Sequence, residues 1–160
     1  MSTKVKKTPA VDEGPYYKPG SPERTSLVEE GIPGTRLVVT GRVLDEQGKP
    51  LANAWLDFWQ ADGKGSYDNE GYILRGHQYA DAEGRYRLET VRPYEYQVRA
   101  AHIHVKVSAG QGAPVFTTQL FFPDERLNPT DPLFEPGTVM NVAKMKDGET
   151  AAFDFVIPTA

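Results

Sequence analysis

Thirteen prolines and fifteen glycines divide the 160 residues into short stretches, and this punctuation limits the fold more than any other feature of the chain. A long amphipathic helix cannot form across such breaks, because proline removes a backbone donor and glycine loses the most conformational freedom on ordering. Within the stretches, apolar residues alternate or cluster over five to eight positions, as they do in strands. Strands are predicted over residues 36–44, 54–60, 85–89, 101–107, 116–122, 139–145 and 152–157. Their number and spacing predict an all-β sandwich in a single domain.

Tight turns are expected at Asp45-Glu-Gln-Gly48 and Asp81-Ala-Glu-Gly84, where an Asp can bond its own backbone and a Gly tolerates positive φ. Residues 25–30 look weakly helical for one turn before Gly31-Ile-Pro-Gly34 stops them. Residues 1–33 are read as an N-terminal arm that wraps the sandwich, and residues 34–160 as the sandwich itself. Residues 123–137 hold four prolines and little periodicity, which predicts a surface loop long enough to be functional.

No uninterrupted apolar run exceeds three residues, so no helix of this chain is expected to cross a membrane. The first thirty residues lack the apolar stretch of a secretory signal and carry Lys4, Lys6 and Lys7, which points to a cytoplasmic or already processed chain. A net charge of −4 with scattered Lys and Arg argues against a nucleic-acid partner. The absence of cysteine excludes disulfides, thiolate metal sites and cysteine nucleophiles. Any metal must therefore be held by His, Tyr, Asp or Glu.

Two of the three histidines stand two residues apart in Ala100-Ala-His-Ile-His-Val-Lys-Val107. On a strand this spacing places His102 and His104 on one face and sends Ile103, Val105 and Val107 to the other. The pair reads either as two polar residues on a solvated face or as two imidazole ligands. A cupin would add a Glu and a later His at a spacing not found here. A site of two His and one carboxylate stays open through Asp57, Asp62, Asp68 or Asp81. The tyrosines give another completion, since Tyr67 and Tyr96 sit at turn-like positions and phenolate is a hard anionic ligand suited to trivalent iron.

Taken together, the segments Glu13-Gly-Pro-Tyr-Tyr17, Gly41-Arg-Val-Leu-Asp-Glu-Gln-Gly-Lys-Pro-Leu51, Asp57-Phe-Trp-Gln-Ala-Asp62, Gly65-Ser-Tyr67, Arg75-Gly76, Asp81-Ala-Glu-Gly-Arg-Tyr86, Arg99-Ala-Ala-His-Ile-His104 and Thr117-Thr-Gln-Leu-Phe-Phe122 resemble the intradiol ring-cleavage dioxygenases. The resemblance implies a transthyretin-like β-sandwich with a non-haem ferric ion, Fe(III), bound by Tyr67, Tyr96, His102 and His104. It implies a catechol-type substrate, dioxygen as co-substrate and a muconate-type dicarboxylic acid as product. Arg99 matches an arginine placed to stabilise charge on the substrate, and Gln119 matches a glutamine of the same pocket. Pro15 and Tyr16 match an N-terminal segment that approaches it. Tyr96, the tyrosinate expected to yield to substrate, is preferred to Tyr94 because it stands three residues after Pro93 as the family tyrosine does.

The chain departs from larger members in having Ala100 where they carry proline, in a shorter stretch between Tyr96 and His102, which predicts a more open pocket, and in lacking their helical dimerisation arm. The long arm and one-domain size still allow a homodimer. His77 is the leftover histidine, with either a supporting role at the site or none. A transthyretin-like binding module is the main competing class, though it would not need His102 and His104. A hydrolase finds neither a G-x-S-x-G elbow nor a second metal cluster.

Overall fold

Nine strands pack as two sheets in the computed structural model, which describes residues 5–160, so that Lys4 and the start of the arm lie outside the described residues. The first sheet has the order β4-β1-β8-β7, built from β1 (Arg36–Leu44), β4 (Arg85–Val91), β7 (Asn141–Met145) and β8 (Gly148–Ala152), with β9 (Phe155–Val156) added to the end of β1. The second has the order β3-β2-β5-β6, from β2 (Trp55–Gln60), β3 (Arg75–Tyr79), β5 (His102–Ser108) and β6 (Val115–Phe121). The predicted all-β sandwich is the observed architecture, with 38% of residues in strands and 4% in helix.

Alternation explains the core. Leu37 and Val39 of β1, Tyr86 and Leu88 of β4, Leu56 and Phe58 of β2, Ile103, Val105 and Val107 of β5 and Leu120 of β6 all point between the sheets and are buried. Each such side chain contributes about 1.5–3 kcal/mol of burial free energy. Register then fixes the outer face of the second sheet, because Trp59 stands opposite both Arg75 and His104, and His104 opposite Gln119. A polar row can therefore form without disturbing the core beneath it.

Three predictions need correction. Residues 25–30 form no helical turn: Leu27 is fully buried in the core, and its N–H donates to the carbonyl of Glu89 while Glu89 N–H donates to Thr25. Burial of Leu27 and pairing with β4 outweigh a weak local helical preference. Strand β3 was not anticipated, since Arg-Gly-His-Gln-Tyr shows no apolar alternation; its Arg75 and Gln78 are nonetheless buried through hydrogen bonds. The predicted strand at 152–157 contains only the last residue of β8 and the two-residue β9, and the rest of β8 was not anticipated; β1 swaps partners from β8 to β9 at Gly41, where a Cβ would lie 1.8 Å from the carbonyl oxygen of Phe153. Both predicted turns are present, with Gly48 and Gly84 at positive φ.

The residues ahead of β1 run in extended form around the sandwich. Val11 N–H bonds Thr117 on β6, Arg24 N–H bonds His77 on β3, and Leu27 N–H bonds Glu89 on β4. Side chains reinforce the path: the buried carboxylate of Asp57 accepts from Tyr17 Oη at 2.9 Å and from Ser21 Oγ at 2.8 Å. Lys106 pairs with Glu13 and lies over the Tyr17 ring. Residues 123–137 form a loop with two short 3₁₀ turns, Asn128–Thr130 and Pro136–Thr138.

Candidate metal centre

Strand β5 presents both imidazoles on the outer face of the second sheet, each under 5% exposed, with Ile103, Val105 and Val107 facing the core as predicted. The ring of His104 lies flat against Trp59, its cross-strand neighbour, at 4.7 Å and 9°. His102 Nδ1 donates to the Ala100 carbonyl at 2.6 Å, which leaves its Nε2 with a free lone pair. The two Nε2 atoms are 3.0 Å apart.

Tyr67 reaches this point from the loop between β2 and β3. The loop turns tightly at Gly65, whose φ is +84° and whose Cβ position lies 2.3 Å from the Glu95 carbonyl oxygen, so only glycine lets it pack beside the segment that carries Tyr96. Tyr67 Oη lies 2.9 Å from His104 Nε2 and 3.4 Å from His102 Nε2. Tyr96 packs edge-on against Tyr67, with centroids 5.2 Å apart, and its hydroxyl shares a short hydrogen bond with that of Tyr16. Tyr94 is 55% exposed.

The arm closes one side. Gly14 lies against His104, where a Cβ would come 3.5 Å from Cε1, and the Tyr16 ring covers Tyr67 at 4.8 Å. Pro15 is exposed and lines a cleft with Tyr16, Asn69 and Arg75. Arg99 donates through Nη2 to Gln119 Oε1 at 2.5 Å, and Gln119 Nε2 donates to the Asp12 carbonyl at 2.8 Å. The predicted residues Tyr16, Tyr67, Tyr96, His102 and His104 thus gather in one cluster, with Gln119 beside His104 on the sheet and Arg99 on Gln119.

Electrostatics favour neutral imidazoles. Burial, with the positive charge of Arg99 adding to it, lowers His102 to about 4. Burial lowers His104 well below its ordinary value, helped by His102, Arg99 and Arg75. Burial raises the Tyr67 phenol, although Arg99 and Arg75 oppose it. The Tyr96 phenol is raised chiefly by its hydrogen bond to Tyr16.

These donors fit a small hard cation. Neutral imidazole nitrogens and a phenol oxygen converge within 3.4 Å of one another, and His104 Nδ1 is buried without a hydrogen-bond partner among the described residues. With both imidazoles turning an Nε2 lone pair to this point, the single phenol proton of Tyr67 can satisfy only one of them, whereas a cation would satisfy both and stabilise the phenolate. Imidazole and phenolate without thiolate suit iron better than softer metals. The carboxylates left open in the sequence are used elsewhere: Asp57 holds the arm, and Asp62, Asp68 and Asp81 accept backbone N–H groups in turns. His77 bonds Ser21 Oγ at 3.1 Å, two pairs along β2 from the row of His104.

Sequence reasoning missed two supports of the site. Arg75 is 2% exposed and donates to the carbonyls of Asp68 and Tyr16 and to Asn69 Oδ1, tying the Tyr67 loop to the arm. Asp131 pairs with Arg99 from the proline-rich loop. Only Arg75 had a signal, in the matched Arg-Gly pair; an Asp between prolines has none.

A β-sandwich that gathers imidazole and phenol on the outer face of one sheet defines a candidate non-haem metal site. A family model described as dioxygenase matches residues 12–158, and the chain belongs to the intradiol ring-cleavage dioxygenases. It is 37% identical over 139 residues to catechol 1,2-dioxygenase 2 of Acinetobacter lwoffii, covering 71% of this chain and 50% of that protein. It is 36% identical over 128 residues to the protocatechuate 3,4-dioxygenase beta chain of Burkholderia cepacia, covering 69% of this chain and 54% of that one. The chain therefore spans about half the length of these curated relatives. Among solved structures, it superposes with TM-score 0.92 and 49% identity on the dioxygenase domain of a dioxygenase carbohydrate-binding protein fusion from the cellulolytic bacterium Streptomyces sp. SirexAA-E, covering 97% of this chain and 100% of that one.

Proposed function

We propose that the chain cleaves a catechol-type ring between its two hydroxyl-bearing carbons with dioxygen, yielding a muconate-type dicarboxylic acid, at a non-haem Fe(III) centre. The observation that carries this reading is the convergence of His102 Nε2, His104 Nε2 and Tyr67 Oη within 3.4 Å, with Tyr96 beside them. These four residues would hold the iron. The relatives support the substrate class, since they are a catechol and a protocatechuate dioxygenase. Ferric iron, when bound, supplies a Lewis acid that withdraws electron density from a catecholate ring.

The protein's own groups do the rest. His102 stays neutral because burial disfavours its charge, and its Nδ1–H bond to Ala100 fixes the ring so that Nε2 faces the site. Trp59, stacked on His104, blocks rotation of that imidazole. Tyr67 is the inner phenol, touching both imidazoles, and would stay in place. Tyr96 is the outer one; as the phenolate it would be when holding the metal, its oxygen could take a proton from an incoming catechol, and Tyr16 Oη would hold the resulting phenol. Arg99, held by Gln119, would stabilise negative charge that develops on the ring. Pro15 and Tyr16 would form the wall of the substrate cleft.

The test is a visible spectrum of the purified protein with iron measured on the same sample, followed by catechol and then hydroxyquinol. A tyrosinate-to-iron charge-transfer band that moves on substrate addition and decays as an ultraviolet-absorbing muconate grows is the expected result. A protein that stays colourless and inactive after ferric and ferrous reconstitution overturns the proposal.

A further inference from the structure

We propose that Asp131, in the proline-rich loop between β6 and β7, is the positioning residue that sets the orientation of the Arg99 guanidinium. The inference rests on the ring-cleavage reading, because it assigns the support on which Arg99 acts. The Asp131 side chain has no exposed surface, and that of Arg99 is 16% exposed. Both carboxylate oxygens lie 2.9 Å from Arg99 Nε. One of them also accepts from Ala100 N–H at 2.7 Å and the other from Leu133 N–H at 2.8 Å, so the carboxylate itself cannot turn.

The consequence for Arg99 is geometric. A guanidinium carries five N–H groups in one plane. Asp131 takes the Nε–H, and Gln119 Oε1 takes one Nη2–H from the side of the His104 row. Two fixed acceptors on different atoms define the plane, and the remaining N–H groups are left for a ligand. With Gln119 alone, the guanidinium could pivot about a single hydrogen bond. Because the Asp131 side chain is fully buried and both its oxygens are occupied, it acts on a ring-cleavage reaction only through Arg99 and the adjoining peptide.

Asp131→Asn retains the size of the side chain and one oxygen acceptor but replaces the other oxygen with a donor. A charge-stabilising group that is displaced by about an ångström typically loses on the order of 10²-fold in rate. With iron content matched, Asp131→Asn is expected to lower kcat by about 10²-fold and to change KM by less than about threefold, since Arg99 would act on charge present mainly in the transition state. In an Arg99→Ala background the same substitution should cost nothing further. Losses that instead multiply, or an Asp131→Asn enzyme with unchanged kcat, overturn the proposal.

A second readout does not depend on turnover, and its refuting arm uses the unmodified chain alone. In the full chain freed of metal by chelation, the Arg99 Nε–H should give a proton resonance protected from solvent exchange, and it should lose that protection in Asp131→Asn. An Arg99 Nε–H that exchanges in the unmodified chain as fast as that of the exposed Arg85 refutes the assignment. If the unmodified iron-loaded chain cleaves no catechol, the functional reading fails, and the Nε–H resonance alone decides whether Asp131 orients Arg99.

Discussion

Without metal, this protein should have a fold that acid weakens through two buried imidazoles. His102 has an ordinary value of 6.5 and is lowered to about 4 in the folded chain, chiefly by burial. At 1.36 kcal/mol per pH unit, a gap of about 2.5 units corresponds to about 3 kcal/mol, a sizeable part of a typical domain's stability. The sign follows from proton uptake. Above pH 6.5 both folded and unfolded forms carry a neutral imidazole and nothing is lost. As pH falls from 6.5 toward 4, the unfolded chain binds a proton that the folded chain refuses, so stability drops. His104 is lowered for the same reason and steepens the decline. Urea unfolding of metal-free protein between pH 8 and 4 measures this, with His102→Gln as the reference that cannot titrate. The difference in unfolding free energy between the two proteins should be constant above pH 7 and should narrow by about 3 kcal/mol by pH 4. A difference that is independent of pH refutes burial as the dominant influence on His102.

Tyr67→Phe removes the oxygen that touches both imidazoles, and should weaken and shift the visible band and cut ring cleavage by at least about 10³-fold while circular dichroism is unchanged. Tyr17→Phe leaves the buried Asp57 carboxylate with Ser21 as its remaining hydroxyl partner; a loss of about 1–3 kcal/mol in urea unfolding is expected. Gly65→Ala places a methyl 2.3 Å from the Glu95 carbonyl oxygen at a φ of +84°, so the Tyr67 loop must move away from Tyr96, and both thermal stability and iron retention on dialysis should fall.

Legibility followed the physics of each element. The period-two pattern around His102 and His104 was enough to place them on one face, because alternation on a strand with a buried side is strict. Turn-like positions made Tyr67 and Tyr96 candidates, but only the resemblance tied them to the His pair, since nothing local says that two turns separated by β3 and β4 will meet. Strand β3 was invisible because its buried groups are polar and are satisfied by partners distant in sequence, namely Asp68, Asn69 and the Tyr16 carbonyl around Arg75, and Arg87 beside Gln78. Asp131 was invisible for the same reason in a stronger form: its meaning lies wholly in Arg99, thirty-two residues away. Residues 25–30 misled because a helical preference worth a few tenths of a kcal/mol per residue is small beside the burial of Leu27.

The path of the N-terminal segment couples two properties that engineers usually vary separately. Of the four outer strands of the two sheets, β3, β4 and β6 are each met by backbone bonds from this segment, and β7 is the one left without them among the described residues. An uncovered edge is a template for pairing with another chain, so residues 11–27 act as a seal against aggregation. The same stretch sets Gly14 beside His104 and Tyr16 over Tyr67, and lines a cleft with Pro15 and Tyr16. Trimming this segment to open the site would therefore be paid for in soluble yield, whereas changes at Tyr94, Gln97 or Val98, exposed in the segment that carries Tyr96, would leave every sealed edge intact.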